Sequence, residues 1–266
     1  MDDPDVKLLV LIVLIIGLAG AVWFFRDDLL PLVDEPAVVE PEVVVEEKPT
    51  QSGPVHPIAQ LGEYTSPDRK LVPLPPLDDS DGYLLLALID IFGPDVEPVL
   101  VNEALVDNFV ATIDNLTRSH VAEKIRPVNR LTESFVADAT DDKKLYHLNP
   151  DSYKRYDLLV NLVVRADLEL VAETYRRFYP LFQESYVRLG YPDGYFNDRA
   201  VEVIDHLLLT PEPEGPVRLV RPHVLYEFAD AELESLSSGQ KLLLRMGNEN
   251  TARIKRVLKE FRALIV

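Results

Sequence analysis

The sequence predicts a mainly α protein, with one helical soluble domain at residues 77–266, a small β element within it, and one transmembrane helix ahead of it. Three observations carry this expectation. An uncharged apolar run lies near the N-terminus, an acidic proline-rich stretch follows it, and apolar residues then recur at three- and four-residue spacing between capping residues.

The apolar run is Leu8 to Phe25, LLVLIVLIIGLAGAVWFF, which is 18 residues between Lys7 and Arg26. About 20 apolar residues cross a bilayer core, so residues 8–26 are expected to be an anchor, with residues 1–7 as a short tail. Trp23 sits near one end, at interfacial depth. A cleaved signal peptide is the competing reading, because Ala19-Gly20-Ala21 has a small-x-small pattern. Against it, Asp2, Asp3 and Asp5 make a poor cationic start, and the apolar run continues beyond that site to Phe25. The α-amino group tips the positive-inside count toward a cytoplasmic N-terminus. The expected topology is therefore a single membrane crossing with a cytoplasmic N-terminus and an exported soluble domain.

Residues 27–76 form the stalk. Ten prolines fall between Pro31 and Pro76 among acids and valines. Proline removes a backbone donor and fixes φ, so no helix or sheet runs through such chain. A self-repelling, proline-rich segment of this length spans roughly 40 Å as a coil and up to about 150 Å in polyproline form.

The domain opens at LPPLDDSDGYLLLALIDIFG, where Asp78, Asp79, Ser80 and Asp81 precede an apolar helix. Asn102 is expected to cap a helix striped by Leu105, Phe109, Ile113 and Leu116. Asn149-Pro150 starts another, through Leu158, Leu159, Leu162 and Val163. A helix from Asp167 carries Leu168, Val171, Tyr175 and Phe178, is kinked or restarted at Pro180, and ends at Gly190. Arg199 to Leu209 form a further helix. The stretch Val217 to Phe228, and those around Phe135 and Tyr146, read as extended and supply the small β patch. Gln240 to Met246 and a last helix striped by Ile254, Leu258, Phe261 and Ile265 complete the domain, with Gly247 between them.

Charge and composition narrow the function. The formal net charge is −18, and about half of the excess lies between residues 27 and 80. Phosphate backbones are bound by clustered Lys and Arg, so no nucleic-acid partner is expected. With no cysteine, the chain has neither disulfides nor thiolate chemistry. The five histidines lie far apart and form no HExxH or His-x-His pair, so no metal or other cofactor is expected. Asp205-His206 are adjacent, and adjacent helical side chains diverge by about 100°. There is no GxSxG elbow, Walker loop or GxGxxG, and the sequence leans against an enzyme.

One local feature is unusual. Residues 146–196 hold eight of the eleven tyrosines, interleaved with Arg155, Arg165, Arg176, Arg177 and Arg188. Tyrosine and arginine together make recognition surfaces. The competing reading is that Tyr175, Tyr179, Phe182 and Tyr186 form the core face of a helix, as their spacing would require.

LPPLDDSD (74–81), YKRYD (153–157), YPLFQESYVRLG (179–190) and QKLLLRMGNEN (240–250) resemble the bacterial DUF3014 family, over roughly residues 74–266. The resemblance implies a bacterial envelope protein, anchored in the inner membrane by a single pass with its soluble domain in the periplasm, and it supplies no activity. Matched polar positions that core packing does not explain become binding candidates, with their neighbours: Tyr153, Arg155, Tyr156, Asp157, Gln240, Lys241, Arg245 and Asn248. No catalytic residue is assigned. Two functions are expected from this. The first is a non-enzymatic protein-interaction or scaffold module that binds another envelope protein. The second is a protein that binds or hydrolyses a cell-wall glycan or peptide, using the Tyr/Arg-rich run as a groove.

Overall fold

In the computed structural model, the described residues are 53–58, 73–129, 135–142, 144–223 and 225–266. The expected membrane helix, most of the stalk and residues 130–134 lie outside them. Among the described residues, no helix is long and apolar enough to cross a membrane. The helices are α1 (Asp81–Phe92), α2 (Leu105–Asn115), α3 (Asp151–Lys154), α4 (Asp157–Arg165), α5 (Leu168–Arg188), α6 (Phe196–Leu208), α7 (Ala231–Glu234), α8 (Ser238–Arg245) and α9 (Gly247–Ile265). Short 3-10 turns occupy Leu77–Asp79, Pro94–Val99 and Glu123–Ile125.

The main core is built on α5 and α6, each packed against both α2 and α9. Its centre is aromatic. Phe182 lies 4.9 Å from Phe109 and 5.5 Å from Tyr175, ring centre to ring centre, and Phe196 and Phe261 close the cluster. The stripes that the spacing predicts are the buried ones. Leu105, Phe109, Ile113 and Leu116 of the α2 segment, and Ile254, Leu258, Phe261 and Ile265 of α9, all face inward. The side chains of Leu158, Leu159 and Leu162 lie outside the described residues.

Helix starts show how local sequence and distant structure share the work. Asp167 caps α5 by accepting from the backbone N–H groups of Glu169 and Leu170. Ser237 and Gln240 form a reciprocal capping box on α8. The start of α2 differs from expectation. Asn102 does not cap it, and the N-cap position is Ala104, at φ 50°. Its free N–H groups are taken by Asp81 of α1, whose carboxylate accepts from Ala104 at 2.8 Å and Leu105 at 2.7 Å. A cap supplied from 23 residues away leaves no local signature. Helix α5 runs through Pro180 without a break. It stops at Leu189, followed by Gly190 at φ 117°, which an L side chain rarely adopts.

The β element is a four-stranded antiparallel sheet, β1 (Ala137–Ala139), β2 (Leu145–Leu148), β3 (Arg218–Val220) and β4 (Glu227–Phe228), in sequential order. Ala137 pairs with Leu148, Tyr146 with Leu219, and Leu219 with Phe228. One face packs a second, smaller core of Leu148, Val217, Leu219 and Phe228, joined by Leu244 of α8.

Residues 53–58, within the stretch that reads as stalk, lie against the domain. The backbone N–H groups of Val55 and His56 donate to the Asp198 carboxylate at 2.9 and 2.7 Å. Buried Asn197 donates to both His56 O and Ile265 O, at 2.8 Å each. The N-terminal strap and the end of α9 are thus clasped by one turn of α6.

Candidate functional site

Five of the eight candidate residues converge where two helix junctions meet. Tyr153 lies in the last turn of α3, Arg155 and Tyr156 link it to α4, and Asp157 opens α4. Opposite them, Arg245 closes α8 just ahead of Gly247. The Tyr153 ring lies directly over Gly247, where a Cβ would come within 3.0 Å of the ring. Gly247 also sits at φ 79°, so this close approach depends on glycine twice over. Asn250 of α9 donates to Asp157 at 2.9 Å and ties the junctions together.

Both arginines lie over rings at the edge of the small core. Arg155 is 8% exposed, and its guanidinium carbon sits 5.2 Å from the Phe135 ring centre and 4.7 Å from that of Tyr156. Its Nη2 donates to the Tyr156 hydroxyl at 2.7 Å. Arg245 lies 5.4 Å from the Phe228 ring centre. Among the described residues, two buried donors have no acceptor, Arg155 Nε and Arg245 Nη1. Burial pushes the Arg245 pKa down, the neighbouring Tyr156 oxygen and the Glu234 carboxylate oppose this, and the Arg155 cation adds to it. Glu234 is already engaged, since its carboxylate accepts from Lys241 Nζ at 2.7 Å and from Phe228 N at 2.8 Å.

The other three candidates lie in bonds that hold the fold. Gln240 closes the capping box and donates to His206 O at 3.2 Å. Lys241 bridges to Glu234, and Asn248 donates to Pro213 O at 2.8 Å. Two residues that complete the arginine site, Phe135 and Phe228, were not among the sequence candidates. Each reads locally as an ordinary strand aromatic, and only tertiary pairing puts a guanidinium on its face.

Along α5, Tyr175, Phe182 and Tyr186 of the expected core face are buried together with Phe178, and Tyr179 is half-buried. The Tyr175 hydroxyl donates to Asn197 at 3.1 Å. Of the interleaved arginines, Arg176 donates to Leu264 O, and Arg188 pairs with Asp78 and Glu184. Three- and four-residue spacing sets these rings on one helical face, and that face turns inward.

His206 meets Ser237 Oγ at 2.8 Å from its Nε2, next to the α8 cap. Burial, and then the Arg199 charge, lower its pKa below the usual histidine value. The unfolded chain therefore takes up the proton first as pH falls, so the contribution is intact above about pH 6.5 and is lost on acidification below it. Thermal unfolding between pH 7.5 and 5 should show a fall in stability that is smaller in His206→Gln. Equal slopes in the two proteins would refute this.

Among the described residues, no group of three or more His, Asp or Glu could hold a metal ion. Residues 105–262 match the family model described as "Protein of unknown function (DUF3014)". No curated protein and no solved structure matches the chain.

Proposed function

The chain belongs to the DUF3014 family, which carries no described activity, and from that premise we propose a membrane-anchored cell-envelope protein whose helical domain binds another envelope protein without catalysis. The observation supporting this is the outer face of α1. Its sequence DGYLLLALIDIF is apolar nearly all round, which is the pattern of a helix covered on every side. Leu84, Leu88 and Phe92 face the core, whereas Leu86 is 63% and Tyr83 41% exposed. The Asp78–Arg188 ion pair at 2.6 Å brings the end of α5 beside the start of α1, adding exposed Val187 and Leu189. Exposed apolar side chains grouped on neighbouring helix ends favour protein contacts.

In this reading the apolar run Leu8–Phe25 holds the protein in the inner membrane. The proline-rich stalk carries the domain into the periplasm, where the α1 face meets an apolar face of its partner. The wall-ligand alternative has less support, because Tyr156, Tyr175 and Tyr186 of the tyrosine-rich run are interior and leave fewer rings to line its groove. Crosslinking in intact cells, read by mass spectrometry, tests the proposal. Wild type should capture one dominant envelope protein, and Leu86→Glu should lose that product. Removing one central apolar anchor weakens an interface by about 2 kcal/mol, roughly thirtyfold. Folding should shift by less than about 0.5 kcal/mol, as for ordinary surface substitutions. Undiminished capture by a folded Leu86→Glu protein would refute the α1 face. A C-terminus shielded from protease in spheroplasts would refute the periplasmic placement.

A further inference from the structure

Arg155 and Arg245 carry permanent charge into the interface between the two cores. A guanidinium does not neutralise itself by losing a proton at ordinary pH. Its burial therefore calls for an anion or for a full set of acceptors. Aromatic faces at Phe135, Tyr156 and Phe228 attract the two cations, but they accept none of the in-plane N–H groups. Within the described residues, Arg155 Nε and Arg245 Nη1 remain without acceptors. The nearby carboxylates are engaged elsewhere, Glu234 by Lys241 and Phe228 N, and Asp157 by Asn250. The Tyr156 hydroxyl accepts from Arg155 and keeps its own proton to donate.

We propose that Arg155, Arg245 and Tyr156 form a binding site for a small oxyanion, a carboxylate or a phosphate. The oxygens of such a group take the open N–H donors of the two arginines and the Tyr156 proton. Planar guanidinium forks suit this geometry, and charge-assisted bonds are stronger than neutral ones. The site uses none of the residues of the α1 face, and it stands or falls independently of that reading.

The test uses the whole 266-residue chain in detergent micelles. Thermal unfolding is followed while sodium phosphate or sodium acetate replaces sodium chloride at constant ionic strength. One of the two should raise the unfolding temperature saturably, and the salt that does so distinguishes a phosphate source from a carboxylate source. Arg245→Met should weaken the response about ten- to a hundredfold, the usual loss for a hydrogen bond to a charged group. It should also unfold in chloride at no lower temperature than wild type, because it removes an uncompensated buried charge. Two results would each overturn the proposal. The first is no advantage of either anion over chloride. The second is an unchanged response in Arg245→Met.

Discussion

Asp114→Ala should lower stability by about 3–5 kcal/mol, the range for breaking a buried ion pair from one side. Asp114 is only 3% exposed and serves three elements at once. Its carboxylate accepts from Arg199 Nε at 3.0 Å, from Arg118 Nη2 at 2.9 Å and from the Tyr191 hydroxyl at 3.1 Å. Without it, Arg199 keeps Thr117, a backbone carbonyl and the exposed Glu202, and loses its one buried counter-charge. For a domain of this size the unfolding midpoint should fall by about 6–20 °C. A second readout is spectroscopic. Tyr191 is pushed up by burial and then by the Asp114 charge, and Tyr186 is pushed up to about 12 by the same two causes in that order. Both phenols should titrate earlier in Asp114→Ala if the domain remains folded. A midpoint within 2 °C of wild type, an order of magnitude, would show that the carboxylate is dispensable.

Phe182→Ala should cost about as much, 3–5 kcal/mol, by a different route. Its ring is 1% exposed and lies among Phe109, Tyr175, Phe178 and Phe196, at 4.9, 5.5, 6.5 and 5.8 Å. These neighbours come from α2, α5 and α6. Rigid rings fixed on three helices cannot collapse into the space, so the cavity term adds to the lost transfer energy. Phe182→Leu should recover more than half of the loss in denaturant titrations. Equal losses in the two variants would mean that the ring's shape, and not its volume, is what the core requires.

The two substitutions differ in how far the sequence announces them. Phe182 lies on a visible stripe with Tyr175 and Phe178, so its burial is legible from spacing alone. Asp114 gives no such sign. It is one acid among many in an acidic chain, and its partners at 191 and 199 come from another helix and a loop. The same division runs through the candidate site. Arg155, Tyr156 and Arg245 are already singled out as polar residues in stretches that resemble a family. The sequence does not say that they share one place, or that Gln240, Lys241 and Asn248, from the same stretches, hold caps and turns. Adjacent residues on a helix point in different directions, and only the packed neighbours decide which of them reaches the site.

By itself the sequence determined the mainly helical class, the striped faces of α2, α5 and α9, and the presence of a small β patch. These follow from local periodicity and capping, which act within a few residues. Tertiary structure alone decided that Asp81 caps α2, that residues 53–58 lie against α6, that Tyr175 and Tyr186 of the tyrosine-rich run are interior, and that Arg155 and Arg245 come to lie over Phe135 and Phe228 of the small core. Each of these joins residues far apart in the chain. Desolvation and hydrogen-bond satisfaction act on whatever folding brings into contact, and sequence spacing carries no record of contacts made at that range.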